Sequence, residues 1–591
     1  MSANKNIGRI CLIVLILTVL GTILFMNGEK LGIRAVADED AESYSGDARF
    51  TSNDLNGSWD VSRAVQITLN GDSASIRGNG AYFNDGSLTI KNGGYYSVTG
   101  NLTNGSIVVD AYVSSKVWIL LNGVSVNCED NAAISIKKAD KVFLTLAEGT
   151  ENTFTSGETY SDEALKNNTD AAVWSKEDLT INGSGTLRVN GEYGHGIKCN
   201  DSLVITGGVI SISCPQDGIH ANDSISFTNA DVSVEAGDDA VHCDTKIYFR
   251  DGTLTASDCY EGIEAPMVEI AGGQIAIYPT DDGINANSGS DEASFMPGED
   301  PDARIQQPVT ETVQEQAEGL VYITGGSITI INENGKDADG IDSNGDIVID
   351  GGEVLISLSG SGNNALDFGS ENGGNLYLNG GTVVAAGDSF MLEKASDDSL
   401  QGNMTIITAD EMSAGSIVTV SDAEGKTVLE KEIPGSFTAV TLSCSELAAK
   451  ETYTVKIGED YSVDLTLDTI SVMSGDGMVG FGGAAGRLSG MRPMMGGQMP
   501  EDFAEPESGR MPEEGQRPEG GPIPGDGQMP EAGPMPGMDQ RADKTPDQAA
   551  PVQSQPVSAY PRSTRLLLGA SGAVLVLGLA IVLLVKKRKG L

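Results

Sequence analysis

Between residues 170 and 387, short runs of alternating apolar and polar residues recur in pairs, each pair joined by Gly-Gly or an equivalent turn. They read LVITGGVISIS from Leu203, IYFRDGTLTAS from Ile247, VEIAGGQIAIY from Val268, VYITGGSITII from Val321, IVIDGGEVLIS from Ile347 and LYLNGGTVVAA from Leu376. Period-two alternation of β-branched residues predicts short strands, and the glycine pair predicts a tight corner with positive φ. A second marker, a small residue followed by an aliphatic one, falls at Ala172-Val173, Gly196-Ile197, Gly218-Ile219, Ala240-Val241, Gly262-Ile263, Gly283-Ile284 and Gly340-Ile341. Successive spacings are 24, 22, 22, 22, 21 and 57, the last holding an acidic, Pro-bearing insertion from Ser288 to Glu318. No helix-length amphipathic run intervenes. The expected fold is all-β, a right-handed parallel β-helix solenoid whose coils of about 22 residues hold three strands and three corners and stack at about 4.8 Å. Ile219, Ile225, Phe227, Val232 and Val234 are expected to point into the bore as aliphatic columns.

The flanks extend this pattern and then end it. Upstream, NGGYYSVTGNLTNGSIVVD, KVWILLNGVSV and NAAISIKKADKVFLTLAEGTENTF read as degenerate early coils, so the solenoid is expected over residues 60–400. Over 401–474 the repeat is lost but alternation persists, which predicts a small antiparallel β unit covering the open C-terminal end. Residues 475–561 are rich in Gly, Pro, Met, Gln and Glu with few aliphatics, the composition of a disordered spacer. From Leu566 to Val585 an uncharged apolar run of 20 residues is long enough for one membrane span, and Lys586, Lys587, Arg588 and Lys589 follow it as a basic cytoplasmic tail over 586–591. At the other end, Lys5 and Arg9 precede the apolar stretch Ile10 to Met26, and a cut after Ala37 would remove residues 1–37 as a signal peptide. The alternative is an uncleaved signal anchor. Either way the expected location is the cell membrane, with the large domain outside.

Charge narrows the partners. With 37 Lys+Arg against 84 Asp+Glu the net charge is −47, which excludes a nucleic-acid partner. Six cysteines follow the signal, with no CxxC spacing: Cys128, Cys199, Cys214, Cys243, Cys259 and Cys444. Cys199 and Cys243 hold the same coil position two coils apart, about 9.6 Å, beyond the roughly 7 Å reach of a disulfide. Buried free thiols are expected.

An acidic residue precedes the small-aliphatic pair in successive coils, at Asp217, Asp239, Glu261, Asp282 and Asp339, and Asp238 and Asp281 double it in two of them. Stacked about 4.8 Å apart, such carboxylates repel one another, and Lys and Arg are scarce here. Ca²⁺ at these corners is the expected cofactor, since it takes six to eight oxygens. The alternative is that each Asp caps its own corner by accepting backbone N–H bonds. The residue just after each pair should face outward, giving the column Trp174, Lys198, His220, His242, Glu264 and Asn285, with Asp342 beyond. This surface strip is the candidate carbohydrate-binding lane, and Trp118, Tyr248 and Tyr260 are further aromatic candidates. A transition metal on the histidines is the minor alternative to simple stacking.

The repeated DGIHANDSI, DDGINAN and DADGIDSNGDIVIDGGEV, with the lead-in DAAVWSKEDLTINGSGTLRVNG, resemble secreted bacterial carbohydrate-binding domains built as calcium-containing parallel β-helices. The likeness covers roughly residues 60 to 470. It implies a non-catalytic binder of cellulose or polygalacturonate-like polysaccharide, with the acidic corner residues as calcium ligands. Ala240 in place of Gly and Glu261 in place of Asp depart from the motif. The expected protein is a monomer anchored in the membrane; the competing readings are a pectate-lyase-like enzyme using Lys198, Lys246 or Arg250 as base, and a structural adhesin.

Overall fold

The computed structural model describes residues 49–287, 319–333, 335 and 338–475. The signal segment, the acidic insertion, the spacer, the apolar run and the basic tail lie outside these residues. Among the described residues no helix is long and apolar enough to cross a membrane.

Each coil lays one strand on each of three faces, as Ile219–Ala221 (face I), Ser224–Phe227 (face II) and Ala230–Ala236 (face III) do. Face I is one sheet of 12 strands, while faces II and III merge with the flanking strands into a sheet of 25. Coil-to-coil pairing is parallel and in register apart from bulges at strand ends, as between Ser257 and Cys259, and within the early coils, so like side chains stack. Ile197, Ile219, Val241, Ile263, Ile284 and Ile341 form one column. Leu203, Ile225, Ile247, Val268, Val321 and Ile347 form a second, and Ile210, Val232, Leu254, Ile275, Ile328 and Val354 a third. All three columns are buried in one continuous core, which no single coil could bury alone. The turn from face II to face III needs a left-handed residue. Gly208, Gly273, Gly326, Gly352 and Gly381 supply it with φ between 79° and 96°, and Asn229 takes φ 56° where the glycine pair is missing.

Side-chain volumes are traded across the bore. A Cβ added at Gly196, Gly218, Gly262, Gly283 or Gly340 would lie 2.2–2.5 Å from a methyl of Ile212, Val234, Ile277, Ile330 or Ile356 respectively, on face III of the same coil. Where the repeat carries Ala240, the face III residue in register with Val234 and Ile277 is Ala256. Where it carries Ala365, the residue in register with Ile356 is Ala385. Glycine thus faces a branched chain, and at these two coils alanine faces alanine, which keeps packing dense without overlap; Ala172, in the first coil of the repeat, faces Val189 instead. The departure at Ala240 is therefore a compensated one.

Both ends are tied down. Val65–Gly71 pairs parallel with Gly94–Leu102 and antiparallel with Ala74–Arg77, and the hairpin of Ala81–Asn84 with Ser87–Ile90 begins face I. Residues 49–60 run back over face II as a strap. Phe50 is buried against Val204 and Tyr248, and the buried Asp54 carboxylate meets Lys141 Nζ at 2.8 Å and accepts from Thr180 Oγ1 at 2.5 Å. At the far end, Thr382–Gly387 is the last parallel strand, and Phe437–Ser443 pairs antiparallel with its open edge. Asn403–Met412 and Ser471–Gly475 extend that sheet, and a four-stranded antiparallel sheet built on Ser416–Ser421 and Thr452–Ile457 closes a second core beneath it. An unpaired edge that could recruit another chain is thereby covered.

The insertion does not disturb the stack. On either side of it Ile284 still pairs with Ile341 and Met267 with Leu320, in the register of the neighbouring coils.

Candidate functional site

The outer column of face I forms as the spacing predicts: Trp174, Lys198, His220, His242, Glu264, Asn285 and Asp342 stand in one register. It is not the open lane expected of a surface strip. Trp174 is fully buried against Ala132 and Ala171, on the flank where the segment carrying the short helix Asp162–Lys166 is tied down by the Tyr160 hydroxyl donating to Ala171 O. His220, His242 and Asn285 are each less than a tenth exposed, and Lys198 and Glu264 only slightly more. The reason is that these side chains are clasped by the acidic corners rather than offered to solvent.

His220 Nδ1 lies 2.7 Å from Asp217 Oδ2, and His242 Nδ1 lies 3.1 Å from Asp239 Oδ2 and 2.7 Å from Glu264 Oε2. The two imidazoles stack at 4.8 Å with their planes 6° apart, and His195 approaches Asp217 through Nδ1 at 3.1 Å. Burial opposes the charge on Asp217, but His195 and His220 overcome it and hold its carboxyl well below the usual range. Burial likewise opposes the charge of His242, yet Asp239, Asp244 and Glu264 hold its pKa well above that of a free imidazole. Glu264 is pulled down to about 2, His242 outweighing its burial. The signal for this was in the chain: D-G-I-H at 217–220 and D-A-V-H at 239–242 place acid and imidazole three residues apart on one coil edge.

The corner carboxylates also bond to the next coil. Asp217 Oδ1 accepts the Asp239 N–H at 3.4 Å, Asp239 Oδ1 the Glu261 N–H at 3.3 Å, Asp282 Oδ1 the Asp339 N–H at 2.6 Å and Asp339 Oδ1 the Asn364 N–H at 2.7 Å. The capping alternative thus accounts for one oxygen of most corners. It leaves other oxygens over. Glu261 Oε1 accepts from Asn285 Nδ2 at 3.0 Å, while Glu261 Oε2 and Asn285 Oδ1, both buried, have no hydrogen-bond partner. Burial, then carboxylate neighbours, push Glu261 and Asp282 well above the ordinary carboxylate range. Asp238 joins Asp217 and Asp239 in one cluster of oxygens, and Asp339 joins Asp342 and Asp367 in another. Asp342 is raised to about 6 by burial and by Asp367. Half-buried Asp281 stands beside Asp282.

The cations proposed as lyase bases are otherwise engaged or exposed. Lys198 Nζ is held by Asp170 at 2.7 Å. Arg250 lies 4.5 Å over the Phe50 ring and donates to Thr228 Oγ1 at 3.1 Å, and Lys246 is exposed.

A cleft of about 380 Å³ opens between the strap and the early coils, lined by Asn53, Trp59, Asp60, Arg63, Tyr95 and Trp118 among others. Tyr95, Trp118 and Phe143 occupy one outer column of face II and stack at 4.7 and 5.3 Å. Trp59 meets Tyr95 edge-to-face at 5.6 Å, and the Arg63 guanidinium lies 5.3 Å from the Tyr95 ring. Trp118 was a sequence candidate; Trp59 and Tyr95 were not, because nothing local in the strap shows which coil it crosses. Tyr248, another candidate, is covered by Phe50 and by the Arg49 guanidinium at 3.7 Å, and Tyr260 is half-buried. The six cysteines among the described residues are free thiols, five of them buried, and Ala221 separates Cys199 from Cys243 in register.

The fold, the acidic corners and this cleft describe a parallel β-solenoid with a polar, acid-lined side and an aromatic one. Residues 84–287 match the family model described as carbohydrate-binding domain-containing protein. A carbohydrate-binding domain-containing protein of Acetivibrio thermocellus is 35% identical over 126 residues, which is 21% of this chain and 44% of that relative. The chain thus spans less than half the length of that relative. A solved structure described as the polysaccharide lyase-like protein from C. thermocellum, in a gadolinium derivative, aligns with a TM-score of 0.32 at 25% identity, covering 53% of this chain and 96% of that one.

Proposed function

We propose that the chain is a non-catalytic polysaccharide-binding protein, anchored in the membrane by residues 566–585 and displaying its solenoid outside the cell, with Ca²⁺ at its acidic corners. The observation that carries the sugar-binding part is the aromatic cleft. Sugar sites combine ring faces for the apolar side of a pyranose with convergent polar groups. Trp59, Tyr95 and Trp118 stand beside Arg63, Asp60 and Asn53 in that combination. Tyr95 and Trp118 spend ring faces on one another, whereas Trp59 touches only Tyr95, edge-to-face, among the described aromatic rings. Trp59 is therefore the stacking platform and Arg63 the partner for an acidic sugar.

The residues fit Ca²⁺. Two buried oxygens without partners, Glu261 Oε2 and Asn285 Oδ1, sit among carboxylates that burial and mutual repulsion make hard to ionise. Glu261 and Asn285 with Asp282 and Asp281 would hold the ion at that corner, and Asp217 with Asp238 and Asp239, and Asp339 with Asp342 and Asp367, are the carboxylate sets whose oxygens lie within 4.8 Å of one another. When bound, Ca²⁺ supplies the missing positive charge and a coordination position that a uronate carboxylate could share, which matters for a chain of net charge −47. The engagement of Lys198 and Arg250 by Asp170 and Phe50 favours binding over lyase chemistry.

The test is binding of the full-length protein in detergent to polygalacturonate, cellulose and neutral glucans, in calcium and then in chelator. Uronate binding that disappears in chelator and in Trp59→Ala supports the proposal. Binding undiminished in Trp59→Ala removes the cleft from it, and no glycan signal in either condition favours the adhesin reading.

A further inference from the structure

The geometry points to a second metal centre of a different chemical class: a zinc-type transition-metal site formed by His220, His242 and Asp244, with its open position facing the polar cleft beside them. His220 Nε2 and His242 Nε2 lie 3.8 and 3.5 Å from the same oxygen, Asp244 Oδ1, and the three ligand atoms are mutually within 4.8 Å. Ligand atoms bound tetrahedrally at 2.0–2.1 Å stand about 3.3 Å apart. The two edges to Asp244 therefore need to shorten by only about 0.5 and 0.2 Å, and the His220–His242 edge, bounded at 4.8 Å, by up to about 1.5 Å through a tilt of the stacked imidazoles toward one another.

The supporting shell is already in place. A histidine that binds metal through one ring nitrogen almost always gives its other N–H to a carboxylate, which fixes the tautomer and ring orientation. Asp217 Oδ2 takes that role at His220 Nδ1 (2.7 Å), and Glu264 Oε2 and Asp239 Oδ2 take it at His242 Nδ1 (2.7 and 3.1 Å). Both Nε2 lone pairs are then directed to the Asp244 side. Solenoid register does the gathering: His220 and His242 are direct partners on successive strands of face I, so both imidazoles edge the same Asp244 carboxylate and need only tilt toward each other to share an ion.

Access is open on one side. Asp244 is 46% exposed at its side chain, and it lines, with Lys198, Asn200, His220 and Asn222, a cleft of about 450 Å³. Asn222 Oδ1, buried there, has no partner. Lys198, the competing cation in the cleft, is bound by Asp170. Two imidazoles and one carboxylate select Zn²⁺ or a similar transition ion over Ca²⁺, whose ligands are oxygens. The site is thus chemically distinct from the acidic corners and stands whether or not those corners hold calcium.

The experiment is equilibrium dialysis of the full-length protein in detergent against Zn²⁺ in a large excess of Ca²⁺, which fills oxygen-only sites. One Zn²⁺ retained per chain is expected. Asp244→Asn should weaken it at least about tenfold and His220→Gln by about 100-fold or more, in line with ligand and supporting-shell losses at zinc sites. Co²⁺ substituted for Zn²⁺ should give the visible absorption of a four-coordinate nitrogen-oxygen site, a signature that a merely structural imidazole–carboxylate stack does not produce. If His220→Gln fails to fold, the exposed Asp244→Asn variant still decides the matter. No Zn²⁺ retained in excess Ca²⁺, or retention unchanged in Asp244→Asn, overturns the site and leaves His242 as an imidazolium caged by its carboxylates.

Discussion

The exchange of volume between faces I and III yields a sharp prediction at Gly262. Gly262→Ala puts a Cβ 2.3 Å from Ile277 Cγ2 and 2.4 Å from Gly283 O, where carbon contacts normally sit at about 3.5–4.0 Å. The coil must shift by more than an ångström or Ile277 must leave its rotamer, and overpacking of this kind costs about 1–3 kcal/mol. Ile277→Ala alone empties a fully buried position and costs about 2–5 kcal/mol. The double variant recreates the pairing that Ala240 and Ala256 already make one coil earlier. Its cost should fall short of the sum of the single costs by about 0.5–3 kcal/mol. A long repeat array need not unfold in one step, so the assay is native-state hydrogen exchange at the Ile263–Glu264 and Gln274–Pro279 strands, which reads local opening free energies. Additive costs, or a neutral Gly262→Ala, would refute the idea that the glycine is set by the side chain across the bore.

Four further outcomes follow from the strap, the thiols and the aromatic ladder. Asp54→Ala strips Lys141 of its buried partner and removes the acceptor for Thr180 and Thr51, so the strap should detach at a cost of about 3–5 kcal/mol, read as new proteolytic cutting within residues 49–60. In the unmutated protein burial raises the Asp54 pKa but Lys141 and the hydrogen bonds win and lower it; the strap's hold is therefore complete above the free carboxylate value of about 4 and is lost as pH falls through the lower folded value, and release at neutral pH would contradict this. Burial pushes Cys199, Cys214 and Cys259 up to about 12, so thiol reagents at pH 8 should label none of the six cysteines before unfolding, with half-buried Cys214 the first to react when they do. Trp118→Ala deletes a half-buried ring stacked on both sides and should destabilise the early coils by about 1–3 kcal/mol, measured by hydrogen exchange of Gly94–Leu102 against an unchanged Thr382–Gly387.

Periodicity made the solenoid legible because each coil repeats one solution to one packing problem. The small-aliphatic pairs mark face I, and the glycine pairs mark the turn into face III, down to the positive φ at Gly273 and Gly352. The outer column of Trp174, Lys198, His220, His242, Glu264 and Asn285 was equally readable as a register. Its burial was not, since alternation says which way a side chain points and nothing about what lies over it. Trp174 and His242 point outward and are nevertheless enclosed. The strap escaped for a related reason: Phe50 and Asp54 find partners more than 80 residues away, at Val204, Tyr248, Lys141 and Thr180, and no local pattern encodes such a distance. The scarcity of Lys and Arg near the corners pointed to Ca²⁺ or to corner capping; that Asp217 and Asp239 also face imidazoles three residues on went unread.

The undisturbed register around residues 288–318 bears on how such a chain can change over generations. Because Ile284 meets Ile341 and Met267 meets Leu320 as if the intervening chain were a normal corner, segment length at this bend is uncoupled from the integrity of the rod. Loop closure adds only about 0.6 kcal/mol per doubling of length. The bend is thus a docking port in the evolutionary sense, a place where foreign sequence can be spliced in, tried and discarded while the neighbouring coils keep their pairing. A fluorescent protein grafted between Asn287 and Gly319 would exploit the same tolerance.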